Sequence, residues 1–320
     1  MAPSADEYLP AASRSPAPAP APASEPPARD AQGAALLSGR VCLVTGATSG
    51  IGRATAIGLA RLGGNVVLLC RDGARAERAC DEVRRESEGA GAGAGAGVSV
   101  VLVDLASFAS IRAAAGEIAR RFAAVHVLVN NAGVNLTRRA VSADGFEMTF
   151  AVNHLAPFLL TDLLLPLLRA GAPARIVNVT SKFERFGRIA FDDLQLARRY
   201  SATRAYNQSK LANVLFTYEL ARRLEGTGVT ANCVHPGLVA TRLMREWPAW
   251  MRALWGRFLL MPEKGAEGVV WLASTPAVEG VTGRYFEREG REARSSRRSY
   301  DGELRERLWR VSAEMTGVGG

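Results

Sequence analysis

Residues 45 to 52 read Thr45-Gly46-Ala47-Thr48-Ser49-Gly50-Ile51-Gly52, with three glycines in GxxxGxG spacing. An apolar run, Val41 to Thr45, precedes them, and a stretch of helical periodicity, Ile51 to Leu62, follows. Gly46 permits a tight turn, Gly50 lets the backbone approach a pyrophosphate, and Gly52 lets helix pack close on strand. A helix starting there offers unpaired N–H groups and partial positive charge to an anion. The chemistry expected is dinucleotide binding, with Gly46, Thr48, Ser49, Gly50, Ile51 and Gly52 around the phosphates. The spacing differs from the common GxGxxG, and a glycine cluster alone marks only a strand–helix turn. Here the strand before and the helix after favour the nucleotide. The second apolar run ends Cys70-Arg71-Asp72. Cys70 stands where an NAD-binder carries a carboxylate for the ribose hydroxyls, and Arg71 follows in place to meet a 2′-phosphate. NADP(H) is therefore expected, with NAD(H) as the alternative because Asp72 adjoins Arg71. Arg53, in the first helical turn, either assists or faces solvent.

The elements that must position these residues alternate regularly. Strands are expected at Val41 to Thr45, Asn65 to Cys70, Val98 to Val103, Val125 to Asn130, Arg175 to Thr180 and Val229 to His235. Helices are expected at Ile51 to Leu62, Ala74 to Glu86, Ser110 to Arg121, Phe146 to Leu168 and Tyr206 to Leu224. Runs such as VVLL and RIVNV are apolar on both faces, which suits a covered parallel sheet. The fold class expected is α/β: a single Rossmann-type doubly wound parallel sheet with helices on both faces. Residues 1 to 36 are rich in Pro and Ala and read as a disordered tail. Residues 37 to 290 read as the folded domain, and 291 to 320 as a charged extension in which Glu303 to Val311 form a helix with a solvated face. Gly89 to Gly97, GAGAGAGAG, reads as a surface loop; it follows a helix and precedes a strand, the wrong order for a phosphate cradle.

Composition closes off other classes. Of 320 residues, 48% are hydrophobic and 22% charged, which are globular proportions. The net charge of +9 comes from 40 basic residues of which only Lys182, Lys210 and Lys264 are lysines. That arginine bias fits a GC-rich genome. No basic helix interleaved with aromatics points to nucleic acid, so none is expected as partner. The longest apolar region, Leu155 to Leu168, has 14 residues and contains Asp162, so no membrane-spanning helix is expected. Cys42, Cys70, Cys80 and Cys233 include no CxxC pair, and His126, His154 and His235 no HExxH. The expectation is a reduced, metal-free, cytoplasmic protein.

Several further motifs follow in order: Asp104-Leu105 after the third strand, Asn130-Asn131-Ala132-Gly133 after the fourth, then Asn153, Ser181, Tyr206-Asn207-Gln208-Ser209-Lys210 and Pro236-Gly237. With the glycine turn, they make the sequence resemble the short-chain dehydrogenase/reductase family over about residues 38 to 290. The runs CRD, RIVNVTS, SKLANVLFTYELARRL and VHPGLV are similar to its retinol-dehydrogenase-like branch. The resemblance implies an oxidoreductase moving hydride between a nicotinamide and an alcohol/carbonyl pair. It implies Tyr206 as proton donor in reduction and acceptor in oxidation, and Lys210 as holder of the nicotinamide ribose. It implies Ser181 as the hydrogen-bond partner of the reacting oxygen, and Asn153 as holder of a water joining Lys210 to solvent. Tyr206 and Lys210, four residues apart, share a helix face. The ammonium, like an oxidised nicotinamide, is expected to lower a phenol pKa that is ordinarily about 10. Singly, each feature has a plainer reading: a surface pair, a local hydrogen-bonder, a helix cap. Thr180 is a rival hydroxyl, and Ser181 is preferred because it matches the family position. The resemblance also puts Asp104 and Leu105 at the adenine. It puts Asn130 to Gly133, including Asn131, Ala132 and Gly133, along the cofactor, and Pro236, Gly237, Val239 and Thr241 beside the nicotinamide amide. The NNAG run is otherwise a strand-ending turn.

The substrate side falls at about 242 to 262, where Trp247, Trp250 and Trp255 stand among methionines and arginines 245, 252 and 257. Three readings are open: a lid over a lipophilic carbonyl or alcohol, a helix resting on a membrane surface, and a lid packed on its own core. Retinol-dehydrogenase relatives are often membrane-anchored, and this chain lacks the N-terminal apolar segment such anchoring needs. The resemblance suggests a homo-oligomer, dimer or tetramer, joined through the long helices. Two rival functions remain open at this stage. One is a non-catalytic NADP(H)-sensing or scaffold protein on the same fold, against which the intact Asn153, Ser181, Tyr206 and Lys210 set argues. The other is an interfacial lipid-binding protein.

Overall fold

Short strands with apolar side chains on both faces are stable only between two covering layers. This chain has six of them: Val41–Thr45 (β1), Asn65–Cys70 (β2), Val98–Leu102 (β3), Val127–Asn130 (β4), Ala174–Val179 (β5) and Val229–His235 (β6). The computed structural model describes residues 36–88, 97–237, 260–288 and 290–319. The Pro/Ala-rich tail before residue 36, the glycine–alanine run at 89–96, Val239, Thr241, Trp247, Trp250, Trp255 and nearly all of the 242–262 segment lie outside these. The strands join two shorter ones, Tyr285–Glu287 (β7) and Glu292–Ala293 (β8), in the order β3-β2-β1-β4-β5-β6-β7-β8. β1 to β7 run parallel, and β8 is antiparallel to β7. The chain winds outward from β1 to β3, returns to β4 and winds outward again. That reversal opens a crevice at the carboxyl ends of β1 and β4, where ligands of such sheets bind.

The helices are Gly50–Arg61 (α1), Gly73–Glu88 (α2), Phe108–Arg121 (α3), Met148–Ala170 (α4), Ala202–Arg223 (α5), Pro262–Ser274 (α6) and Gly302–Thr316 (α7). One face of the sheet presents Leu43, Val67, Leu69, Leu128, Ile176 and Ala231 to α3, α4 and α5. The other presents Cys42, Val44, Val66, Leu68, Val129 and Val177 to α1, α2 and α6. The doubly wound α/β expectation is met. Elements outside it are β7, β8 and α6. The two strands have three and two residues, too few to show a period. α6 begins at Pro262, a favoured first helical residue, where the lid was expected to end.

Two readings change with the fold in hand. α4 is 23 residues long and apolar enough to cross a membrane by length and composition, whereas the apolar run read from sequence was too short. Its first turns add to that run, and Phe158, Leu159, Leu160 and Leu164 are buried in the core. The charge-rich C-terminus is the second. Helix α7 keeps its charges outward, but Leu308, Trp309, Ser312, Ala313 and Thr316 are buried. The Trp309 ring lies 4.8 Å from Phe158 and 5.9 Å from Phe216, with the Arg223 guanidinium 4.3 Å over it. Every residue from Asn207 to Ala221 of α5 is buried within the described residues, with α7 covering the flank at Phe216.

Trp309→Ala should lower stability by about 3–5 kcal/mol, read from urea denaturation, because it empties a large aromatic site between α4, α5 and α7. A loss below about 1 kcal/mol would show that α7 is not part of the core.

Candidate active site

The crevice is built from β1 outward. Thr45, its last residue, donates its hydroxyl to the Val129 carbonyl (3.3 Å) and accepts the N–H groups of Asn131 (2.9 Å) and Ala132 (3.0 Å). Asn131 Nδ2 returns a hydrogen bond to the Thr45 carbonyl at 2.8 Å. These bonds fix the NNAG turn against the glycine turn. Gly46 has φ +67° and Gly50 φ +58°, left-handed values natural to glycine. A Cβ on Gly52 would lie 2.4 Å from Asn131 Nδ2 and 2.5 Å from the Gly46 carbonyl oxygen. Ser49 precedes α1 in extended conformation without a side-chain cap, and no acidic residue stands in the first turn. The positive end of α1 therefore faces the crevice, with Thr48 and Ile51 beside it. This is a cradle that fits a pyrophosphate.

At the end of β2, Arg71 is exposed. Asp72 is taken up as the cap of α2, its Oδ1 accepting the Arg75 N–H at 3.0 Å. Arg53 turns away to an ion pair with Glu82 at 3.1 Å. Arg75 is the residue that sequence reasoning missed. Its guanidinium donates to Thr48 Oγ1 at 3.4 Å and lies near Cys70. Burial pushes the Cys70 thiol up to about 11, against the Ala47 N–H and Arg75. On the same rim, the Asp104 carboxylate accepts the Ala106 N–H at 3.0 Å, and Leu105 packs half-buried on the core. Asn130 does not line the crevice. Its amide donates to Thr161 Oγ1 (3.1 Å) and Asn178 Oδ1 (2.8 Å) inside the fold.

The four groups expected to do chemistry meet beyond the crevice. Ser181 follows β5; its hydroxyl accepts the Phe183 N–H at 3.4 Å and lies beside the Tyr206 phenol, whose pKa it lowers. The rival Thr180 hydroxyl points elsewhere, donating to the Lys210 carbonyl at 3.1 Å. Lys210, one turn after Tyr206 on α5, is buried and donates to the Val179 carbonyl at 3.2 Å. Its Nζ lies 5.6 Å from the Tyr206 ring centroid. A Cβ on Gly133 would stand 3.6 Å from that Nζ and 3.4 Å from Asn153 Oδ1, so Gly133 borders both. Asn153 sits in a π turn of α4, Ala151–Leu155. Its Oδ1 accepts the Val134 N–H (2.7 Å), and its Nδ2 donates to the Val134 carbonyl and to Ser209 Oγ, both at 3.0 Å. The side chain is thus fully engaged, and it acts on Lys210 by holding the flanking segments. Ser209, which sequence reasoning did not single out, belongs to this group.

One electrostatic expectation is corrected. Burial pushes the Tyr206 phenol up to about 12, opposed by the Ser181 hydrogen bond, so in the chain itself desolvation outweighs the neighbouring ammonium. The same burial pushes Lys210 down to about 8. Around the site, His235 is held down to about 4, chiefly by burial and then by Lys182. Pro236 and Gly237 follow it; Gly237 has φ +87°, and a Cβ there would meet Leu260 Cδ1 at 2.7 Å. Phe183 stands edge-on to Tyr206 with ring centroids 6.2 Å apart. Phe183 and Phe186 are 36% and 73% exposed, an apolar surface at the phenol's side.

The model of the short chain dehydrogenase family matches residues 40–252. Retinol dehydrogenase 14 of Mus musculus is 46% identical over 293 residues, covering 88% of this chain and 87% of that protein. Retinol dehydrogenase 12 of Homo sapiens is 42% identical over 285 residues, covering 88% of each. Among solved structures, an uncharacterized protein from Mycobacterium paratuberculosis matches with TM-score 0.70 and 34% identity, over 88% of this chain and 94% of that one. The Pseudomonas aeruginosa RhlG/NADP active-site complex matches with TM-score 0.63 and 28% identity, over 79% of this chain and 96% of that one.

Gly52→Ala forces its new methyl into backbone, at a strain of about 1.4 kcal/mol or more. It should weaken dinucleotide binding at least about tenfold in a cofactor-fluorescence titration. Unchanged affinity would show that this turn does not hold the nucleotide.

Proposed function

This chain belongs to the short-chain dehydrogenase/reductase family and is an oxidoreductase acting on CH–OH groups, and we propose that it interconverts a lipophilic alcohol and its carbonyl compound with NADP(H). The convergence of Ser181 and Lys210 on the Tyr206 phenol, beside an uncapped helix N-terminus, is the observation that carries this reading. A dinucleotide held by the turn of Gly46, Gly50 and Gly52 would supply or take the hydride through its nicotinamide.

In this reading Tyr206 hands its proton to the substrate oxygen in reduction and takes it back in oxidation. A phenol held at about 12 is a weak acid that stays protonated near neutrality, so it needs the charged Lys210 beside it to give up its proton in reduction and to be free to accept one in oxidation. Ser181 donates to the same oxygen and stabilises charge developing on it. Lys210 would also hold the nicotinamide ribose. With its carboxamide committed, Asn153 would hold a relay water through its backbone carbonyl.

Preference for NADP(H) rests on Arg71 and Arg75, with Cys70 in place of a carboxylate. Asp104, Leu105, Asn131, Ala132, Gly133, Pro236 and Gly237 would complete the cofactor contacts. The substrate's lipophilic character rests on Phe183 and Phe186 beside Tyr206 and on relatives named retinol dehydrogenases. A retinoid-like aldehyde or alcohol is the class to try first.

Three measurements test the reading. Tyr206→Phe should reduce turnover of NADPH with retinal or another lipophilic aldehyde about a thousandfold or more, with NADPH affinity within about threefold of wild type; undiminished turnover defeats the mechanism. Arg71→Ala with Arg75→Ala should weaken NADPH binding by about 2 kcal/mol or more and leave NADH nearly unchanged; equal losses for both cofactors would remove the preference argument. The kcat/KM for NADPH should decline as pH rises through about 8, where the depressed Lys210 loses its proton. A flat profile from 7 to 9 would contradict a required charged lysine.

A further inference from the structure

His154 sits where three helices meet. It lies in the π turn of α4, next to Asn153, and is fully buried. Phe150, Phe158 and Phe216 surround its ring at centroid distances of 5.0, 6.3 and 6.1 Å. Burial holds its pKa down to about 3, so the imidazole is neutral, with one nitrogen donor and one acceptor. An aromatic cage satisfies neither. Ser312 of α7 reaches into it, its Oγ 2.8 Å from His154 Nε2, and Asn213 of α5 interacts with the ring as well. Ser312 is itself 1% exposed. The π turn divides its work between adjacent residues. Asn153 faces Val134 and Ser209, on the two segments that flank Lys210, while His154 faces α7.

Resting on the oxidoreductase reading, we infer that α7 is a positioning element of the active site: the Ser312 hydroxyl holds His154, and with it the π turn that sets Asn153 against Val134 and Ser209 beside Lys210. The reasoning is geometric. Asn153 makes three hydrogen bonds to two separate segments, and such bonds tolerate only a few tenths of an ångström of slide. A turn with one extra residue lacks part of the regular ladder, so its placement depends on outside contacts. Within the aromatic cage the hydrogen bond to the ring is that of Ser312; packing alone leaves the turn free to shift along its axis. Ser312 and His154 are positioning residues, since neither touches the phenol or the ammonium.

The full chain is assayed with NADPH and retinal. Ser312→Ala should lower kcat about tenfold with the KM for NADPH within about twofold, and Ser312→Thr, which keeps the hydroxyl, should restore kcat. Arg112→Met is the structural control. It removes the 2.7 Å tether from α3 to the Thr316 carbonyl at the end of α7 without touching Ser312. It should lower the melting temperature as Ser312→Ala does and leave kcat unchanged. Should Ser312→Ala not fold, Ser312→Cys, a weaker hydrogen-bonder of similar size, carries the same expected loss. Wild-type kcat in Ser312→Ala or Ser312→Cys, a Ser312→Thr variant as slow as Ser312→Ala, or an equal kcat loss in Arg112→Met at equal melting temperature, would overturn the inference. A wild-type chain without turnover on any carbonyl compound would sink the oxidoreductase reading, and this inference with it.

Discussion

A parallel sheet that reverses its winding leaves a gap between β1 and β4, and everything this chain holds at its carboxyl rim depends on how that gap is closed. No large side chain fills it. Thr45 closes it with one hydroxyl that engages three backbone groups of the neighbouring strand and turn. Satisfying those polar groups with a two-carbon side chain leaves the space above open. Gly46, Gly52 and Gly133 keep it open, because each stands where a methyl group would touch backbone or a functional side chain. The cofactor cradle is thus an outcome of how the sheet is stitched together as much as of the residues that face a ligand.

Beyond the cradle the dominant force is desolvation. Lys210 is an ammonium in the interior with the Val179 carbonyl as its anchoring acceptor, and it is easier to deprotonate than a surface lysine. Tyr206 is harder to deprotonate for the same reason. The two shifts run in opposite directions, separating a phenol and an amine ordinarily close in pKa and reversing their order.

Most of the sheet was legible because its strands are apolar on both faces, and three strand ranges, 41–45, 65–70 and 229–235, agree to the residue. Helix ends drifted by a few residues, as caps such as Ser201 and Ser107 lie outside the periodic core. The Tyr206, Lys210 and Ser181 grouping was visible through the order of motifs. Thr180 against Ser181 was a question of side-chain direction, which only three dimensions answer. Arg75 escaped because the chain is full of arginines, and neither its spacing nor its neighbours set it apart. The sign of the Tyr206 shift escaped because charge can be counted along a sequence but burial cannot. The burial of α7 was hidden by its charges, since a helix reads as solvated when most of its positions are Arg or Glu, yet five positions on one stripe suffice to join it to a core.

That last helix has a consequence for synthesis. A ribosome delivers the sheet, the cradle and the phenol well before residues 302–316. Until that helix emerges, the hydrophobic flank of α5 near Phe216 lacks the cover α7 gives it, and the growing polypeptide presents a sticky surface to whatever passes. Chains cut short by a few dozen residues would keep that surface for good, which makes them natural clients for chaperones and proteases even though nearly every residue at the crevice has already been made.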